Sequence, residues 1–143
     1  MQNIPDQRII DFINEHHVLT LATCSDNQPY CANCFYTYLN DDNTFVFNSD
    51  DHTKHIQDIK GNSKVGASIV LETKTIGKIQ GLQITGKLEE AFNENLTKAK
   101  KAYLKAFPFA ILTHTKLWLL KVEFFKMTDN RLGFGKKILW EKK

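Results

Sequence analysis

The fold is decided by the stretch Phe45-Val46-Phe47-Asn48-Ser49-Asp50-Asp51-His52-Thr53-Lys54-His55-Ile56-Gln57-Asp58-Ile59-Lys60-Gly61-Asn62, with the Val65-Gly66-Ala67-Ser68-Ile69-Val70 that follows it. An apolar run rich in Phe and Val that ends in a polar turn predicts a strand. His52, His55, Ile56 and Ile59 recur at helical spacing, which predicts a short helix over His52–Lys60 with one inward stripe. Gly61 stands where a left-handed C-terminal cap is expected, and Val65 opens another strand. The junction of strand and helix leaves backbone N–H groups without intrahelical acceptors, and these donors and the helix dipole favour an anion. Ser49, Thr53, Lys54 and His55 crowd that point with hydroxyls and cations, a set suited to phosphate. The plainer alternative is that Asp50 or Asp51 caps the helix and Lys54 is a solvated surface charge. The two aspartates also oppose an anion unless they turn away from it.

At 143 residues the chain is long enough for one domain with a proper core, and residues 1–143 are expected to form one. Its 42% apolar and 24% charged content is that of an ordinary globular protein, and its ten Phe, four Tyr and two Trp suit a β-rich core. A formal charge of +3 does not by itself point to nucleic acid. No apolar run reaches the roughly 18 residues of a membrane span. The opening Met1–Asp6 lacks the basic and apolar regions of a signal peptide, and three cysteines argue against a disulfide framework. A reduced, cytoplasmic protein with no nucleic-acid or membrane partner is expected.

Along the chain, Pro5–His16 reads as a helix with Ile9, Ile10, Phe12 and Ile13 on its apolar face. Strands are expected at Val18–Thr23, Tyr30–Leu39, Thr44–Asn48, Val65–Glu72, Leu117–Met127 and Lys136–Trp140, with turns at Cys24–Pro29 and Asn40–Asn43. Thr75–Glu90 reads as one long strand with a defect. Strict alternation would put Gln80 and Gln83 on opposite faces, and one extra residue at Gly81 would bring them to the same one. Asn93–Phe107 reads as a helix with Leu96, Ala99, Tyr103 and Ala106 buried and its lysines in solvent. Antiparallel strands with short intervening helices predict a mainly β, α+β architecture: a six- or seven-stranded barrel or curled sheet.

Few motifs carry chemistry outright. Cys31 and Cys34 have C-x-x-C spacing, but on a strand positions three apart face opposite ways, so they read as structural cysteines. His52 and His55 lie a turn apart without a carboxylate or thiol partner at a telling distance, so no metal site is assigned. No Gly-x-Ser-x-Gly elbow, Walker loop or His-Glu-x-x-His motif is present.

The order of these elements resembles the pyridoxamine 5'-phosphate oxidase-like FMN-binding split barrels, and within them the small bacterial YhbP-like group. The resemblance covers nearly the whole chain. It rests on Cys34-Phe35-Tyr36, on Phe47–Asn62, on Ile79-Gln80-Gly81-Leu82-Gln83 with Gly86, and on Thr128-Asp129-Asn130-Arg131-Leu132-Gly133-Phe134-Gly135-Lys136-Lys137. It implies an antiparallel split β-barrel that forms a homodimer with FMN between subunits. Thr53, Lys54 and His55 would take the places of a Ser-Arg-Lys phosphate clamp. Asn48 and Ser49 would run along the ribityl chain and flavin, and Cys34, Phe35 and Tyr36 would pass beside the isoalloxazine. Gln80 or Gln83 would reach the cofactor, and Arg131 and Trp140 are candidates for groups that close the site.

The departures are specific. His55 stands where the oxidase has lysine, the second strand lacks the oxidase's arginine, and its substrate-binding C-terminal region has no clear counterpart. Pyridoxamine phosphate oxidation is therefore not expected. The resemblance implies flavin-dependent two-electron chemistry on an unknown small molecule, with no catalytic acid or base that can be named. The alternatives on the same barrel are haem binding or degradation with a histidine as iron ligand, and a module that has lost its cofactor.

Overall fold

The computed structural model describes residues 3–112 and 115–143; Met1 and Gln2, read above as lacking a signal peptide, lie outside the described residues. Asp6 accepts the Arg8 N–H at 2.9 Å and so caps the first helix, α1 (Gln7–Glu15), which buries Ile9, Phe12 and Ile13. Strands β1 (Val18–Ser25) and β2 (Gln28–Leu39) form a hairpin. Both central residues of its turn have positive φ, Asp26 at 51° and Asn27 at 63°. Such a turn matches the right-handed strand twist, so pairing runs further in than the expected Cys24–Pro29 turn. Then come β3 (Thr44–Ser49), α2 (Lys54–Gly61), β4 (Lys64–Val70), β5 (Gln80–Glu90), α3 (Asn93–Ala106), β6 (Lys116–Asp129) and β7 (Lys137–Glu141).

All seven strands belong to one antiparallel sheet in the order β3-β2-β1-β4-β5-β6-β7. A further β3–β6 pairing closes the first six into a ring. Along one edge β6 pairs with β5; along the other its first half pairs with β3 and its second half with β7. The result is a split barrel. Its interior is filled by Leu19, Leu21, Phe45, Phe47, Leu82, Ile84, Leu120 and Phe125, with α1 packed against the same cluster. A smaller cluster of Val46, Ala91, Ala99, Tyr103 and Leu119 lies under α3.

Several expectations need correction. The stretch Thr75–Glu90 is not one strand: Ile76–Lys78 is a 3-10 turn, Ile79 is exposed and β5 begins at Gln80. No bulge occurs at Gly81, which pairs regularly with Val70 and Thr128. Gln80 therefore points inward and Gln83 outward, as strict alternation requires. The bulge lies on β6, where Thr85 faces Phe124 but Gly86 faces Val122, leaving Glu123 as the extra residue. Gly61 is the last helical residue of α2 rather than a left-handed cap; Asn62 caps the helix in an extended conformation. His52 is exposed ahead of α2, and Asp58 takes the place in the buried stripe assigned to it. On α3 only Ala99 and Tyr103 are buried, because the helix touches the sheet over a narrow seam that leaves Leu96 and Ala106 outside.

The bulge explains Gly86. A Cβ there would sit 2.3 Å from the Lys121 carbonyl oxygen, a backbone atom that cannot swing aside. Gly86→Ala should destabilise the protein by roughly 1–3 kcal/mol or more, as overpacking against a fixed wall does. Gly81→Ala is the control, since its nearest contact would be an ordinary 3.8 Å. Urea denaturation of both variants measures the difference, and equal midpoints would remove the argument.

Candidate functional site

The site is built where β3 gives way to α2. Phe45, Phe47 and Ser49 share the inward face of β3, so the apolar row ends in a hydroxyl. The turn that follows is closed by Asp50. Its carbonyl accepts both the Thr53 N–H at 3.1 Å and the Thr53 hydroxyl at 2.8 Å, and its carboxylate accepts the His52 N–H at 2.8 Å. Thr53 is the N-cap residue, yet its side chain makes no capping bond to the backbone amides of the helix it opens. The first amides of α2 are thus left without a side-chain cap. Asp51 turns away to pair with Lys116 at 2.7 Å.

Inside the turn lies a short polar file. His55 is buried, with Nε2 2.8 Å from the Ser49 hydroxyl and 3.4 Å from that of Thr53. Burial pushes its imidazole below the ordinary value, and the Asp58 carboxylate opposes this. Ser49 also hydrogen-bonds Cys34, whose thiol burial pushes up to about 11. Cys34 is therefore a thiol and no nucleophile near neutral pH. Trp118 Nε1–H donates to the Ser49 carbonyl at 3.0 Å and fixes the end of the strand.

Beside the file stands a buried carboxylate. Asp58 is only 3% exposed and accepts the Thr23 hydroxyl at 2.8 Å and the Lys54 ammonium. Lys54 lies 5.5 Å from the centre of the Tyr30 ring, within cation–π range. The Lys54 partner holds Asp58 well below the usual carboxylate range.

Among the residues expected to serve a site, Cys34, Ser49, Thr53, Lys54 and His55 are brought together. The others are placed elsewhere within the chain. Tyr36 turns into the barrel, where its hydroxyl donates to the Ile13 carbonyl at 2.6 Å. Phe35 is 61% exposed on the outer face, its ring 5.8 Å from Phe107. Asn48 faces outward towards α3, bonds Thr115 and borders a cavity of about 300 Å³ with Tyr103 and Lys116. Gln80 is buried in register with Asp129, while Gln83 is exposed beside Ser68 and Lys126. Arg131 is paired with Asp129 at 2.8 Å, and the Trp140 ring lies 5.7 Å from Phe125. Sequence reasoning missed Asp58, Thr23 and Tyr30. A Lys-to-Asp spacing of four on the helix was the available signal for Asp58.

A six-stranded ring with an extra strand on one edge, and a polar strand-to-helix turn at its end, defines the split-barrel class. Residues 5–128 match the family described as pyridoxamine 5'-phosphate oxidase, and the chain belongs to that family. It is 37% identical over 136 residues to the UPF0306 protein plu4501 of Photorhabdus laumondii, covering 95% of each chain. It is 33% identical over 129 residues to the UPF0306 protein YhbP of Salmonella arizonae, covering 90% of this chain and 88% of that one. Among solved structures it superposes on a heme binding protein from Mycobacterium smegmatis with a TM-score of 0.75 at 19% identity, covering 91% of this chain and 57% of that one. It superposes on an FAD-binding protein of Mesorhizobium loti with a TM-score of 0.70 at 15% identity, covering 87% of this chain and 94% of that one. These likenesses show the fold. No helix of the described residues is long and apolar enough to cross a membrane.

The Lys54–Asp58 pair makes a stability prediction. The folded-state pKa of Asp58 is depressed from 3.8, so its contribution is present above that value and lost as pH falls through the folded one. Lys54→Ala leaves the carboxylate buried and unpaired, and should lower the thermal midpoint at neutral pH. Adding Asp58→Asn to Lys54→Ala should recover part of the loss, because the uncompensated charge is gone. Thermal melts of the single and double variants check this; strict additivity would show that the pair does not interact.

Proposed function

We propose that the chain is a homodimeric flavoprotein that binds FMN between subunits and serves as an oxidoreductase on a small molecule. The observation that carries this reading is the uncapped N-terminus of α2. Its first amides and the Lys54 ammonium stand together beside the barrel end, and such a donor set fits a phosphate group. Asp51 is neutralised by Lys116 and so does not oppose an anion as strongly as its position suggests. The family match and the FAD-binding neighbour support a flavin.

In this reading the turn holds the phosphate, Ser49 and Cys34 form the inner wall, and Phe35 on the outer face lies towards the flavin and the second subunit. Gln83 and Arg131 are exposed and remain accessible to a second copy. The bound flavin would supply hydride or single-electron chemistry, while the chain supplies binding and orientation. The dimer is supported by an apolar row on the outer face: Val18 is 43% exposed and Phe35, its partner in register, 61%. On the next strand Val70 is 66% exposed, two residues beyond the Ser68 that pairs with Thr20. The haem alternative draws on the heme binding neighbour, but the Nε2 of His55 is already engaged by Ser49.

An absorption spectrum separates the readings: flavin bands near ~370 and ~450 nm are expected, where haem would give a Soret band near ~400 nm. Lys54→Ala should weaken FMN binding by roughly 10- to 150-fold, the worth of a hydrogen bond to a charged group. Riboflavin shares the ring and lacks the phosphate, so its affinity should hardly change. Fluorescence titration of both ligands measures this. Equal losses would mean that Lys54 does not read the phosphate, and no loss would move the site elsewhere.

A further inference from the structure

We propose that Asp58 is a specificity-determining residue: by neutralising Lys54 it tunes the α2 turn to a phosphate that carries one negative charge, a phosphodiester as readily as a monoester. The inference rests on the reading of α2 as a phosphate site and adds the charge it prefers. A phosphate clamp ordinarily presents excess positive charge. Here Lys54, the cation of the first helical turn, is bound to a carboxylate that is 3% exposed and anchored on its other side by Thr23 at 2.8 Å. The anchor matters, because a carboxylate fixed on both oxygens cannot swing away when another anion arrives.

The other charges around the turn do not restore a positive balance. Asp51 faces Lys116 at 2.7 Å, with His52 and Lys60 acting on it from farther off. Asp50 spends its carboxylate on the His52 amide. His55 is buried with its Nε2 on the Ser49 and Thr53 hydroxyls, and the Asp58 carboxylate acts on it from farther off. What remains for a ligand is the neutral amides of the helix start and the unused N–H groups of an ammonium whose charge Asp58 already balances. Such donors bind either charge state of a phosphate. Net positive charge, which would favour the dianion, is withheld by Asp58. A buried carboxylate that served folding alone would need no lysine at the mouth, since Thr23 and a neutral donor would satisfy it.

The test is a charge series on one ring system at about pH 8, where a monoester with a second pKa near ~6 is a dianion. FMN carries two charges, its phosphate methyl ester one and riboflavin none. Wild type should bind FMN and the methyl ester within about threefold of each other. Asp58→Asn, which keeps the shape and the Thr23 bond, should tighten the ester roughly threefold and FMN by the square of that, roughly tenfold, because the Coulomb term doubles with charge. Riboflavin should be unchanged. Lys54→Gln should shift the preference the other way, weakening FMN more than the ester. A merely structural role would move all three ligands together. A wild-type preference for FMN of about tenfold or more, or an unchanged ratio in Asp58→Asn, would overturn the proposal. Should none of the three bind, the flavin reading fails, and the charge preference is then read with methyl phosphate against dimethyl phosphate, from the amide resonances of Lys54 and His55. The same shift in ratio between wild type and Asp58→Asn is expected, and its absence would overturn the inference by itself.

Discussion

A β-strand has two edges, and β6 has three partners. It resolves this by pairing with β5 along one edge and dividing the other between β3 and β7. The division falls where the extra residue Glu123 breaks the β5 ladder, so one bulge both bends β6 and changes its partner. The price is the close approach at Gly86, where the Lys121 carbonyl occupies the space of a side chain. The ring closes only because β3 reaches β6 before this point. Closure places the last residues of β3, and hence the start of α2, at a fixed end of the barrel. The position of the candidate site is therefore a consequence of how β6 shares its edges.

At that end the chemistry changes from apolar to polar within one strand. Phe45 and Phe47 are fully buried among hydrophobic neighbours, and the next inward residue is Ser49. A buried hydroxyl needs partners, and Cys34 and His55 supply them, while the Trp118 indole fixes the Ser49 carbonyl. The same need explains why His55 is poorly placed as a cation: its hydrogen bonds go to hydroxyls and its surroundings are dry. The positive charge of the turn resides on Lys54, and its effective strength is set by Asp58.

Much of this could be read from the residues. The alternation of Val18–Thr23 and Tyr30–Leu39, and the Phe-rich run into Ser49, specify strands because one face must be buried. Strict alternation already separated Gln80 and Gln83; the place of the bulge was what the residues did not show. Glycine inside a strand often marks a bulge, but here the extra residue is Glu123 on β6, some forty positions away. His52 was misplaced because helical spacing does not show where the helix starts; Asp50 bonds the His52 amide and delays the first turn until Lys54. Asp58 was passed over because aspartate on a helix ordinarily faces solvent, and only the fold shows Thr23 waiting on β1. The ring order was beyond periodicity altogether, since β3–β6 pairing joins segments with no local signal of each other.

The polar end and the exposed apolar row are tied together by the pleat of β2. Successive side chains on a strand take opposite faces, so Cys34 and Phe35 cannot serve the same surface. Cys34 points in and meets Ser49; Phe35 points out and continues across β1 to Val18. The wall that bounds the α2 turn on the inside and the exposed apolar row on the outside are thus one backbone thick. In the proposed flavoprotein this arrangement would suit a cofactor shared between subunits, its phosphate on a rigid turn that one chain builds alone and its ring against apolar cover that one chain leaves open. Displacing β2 by a single residue would exchange the two faces, putting Phe35 against His55 and Cys34 on the outside. The eight-residue pairing of β1 with β2, closed by the left-handed Asp26-Asn27 turn, is what forbids that slip.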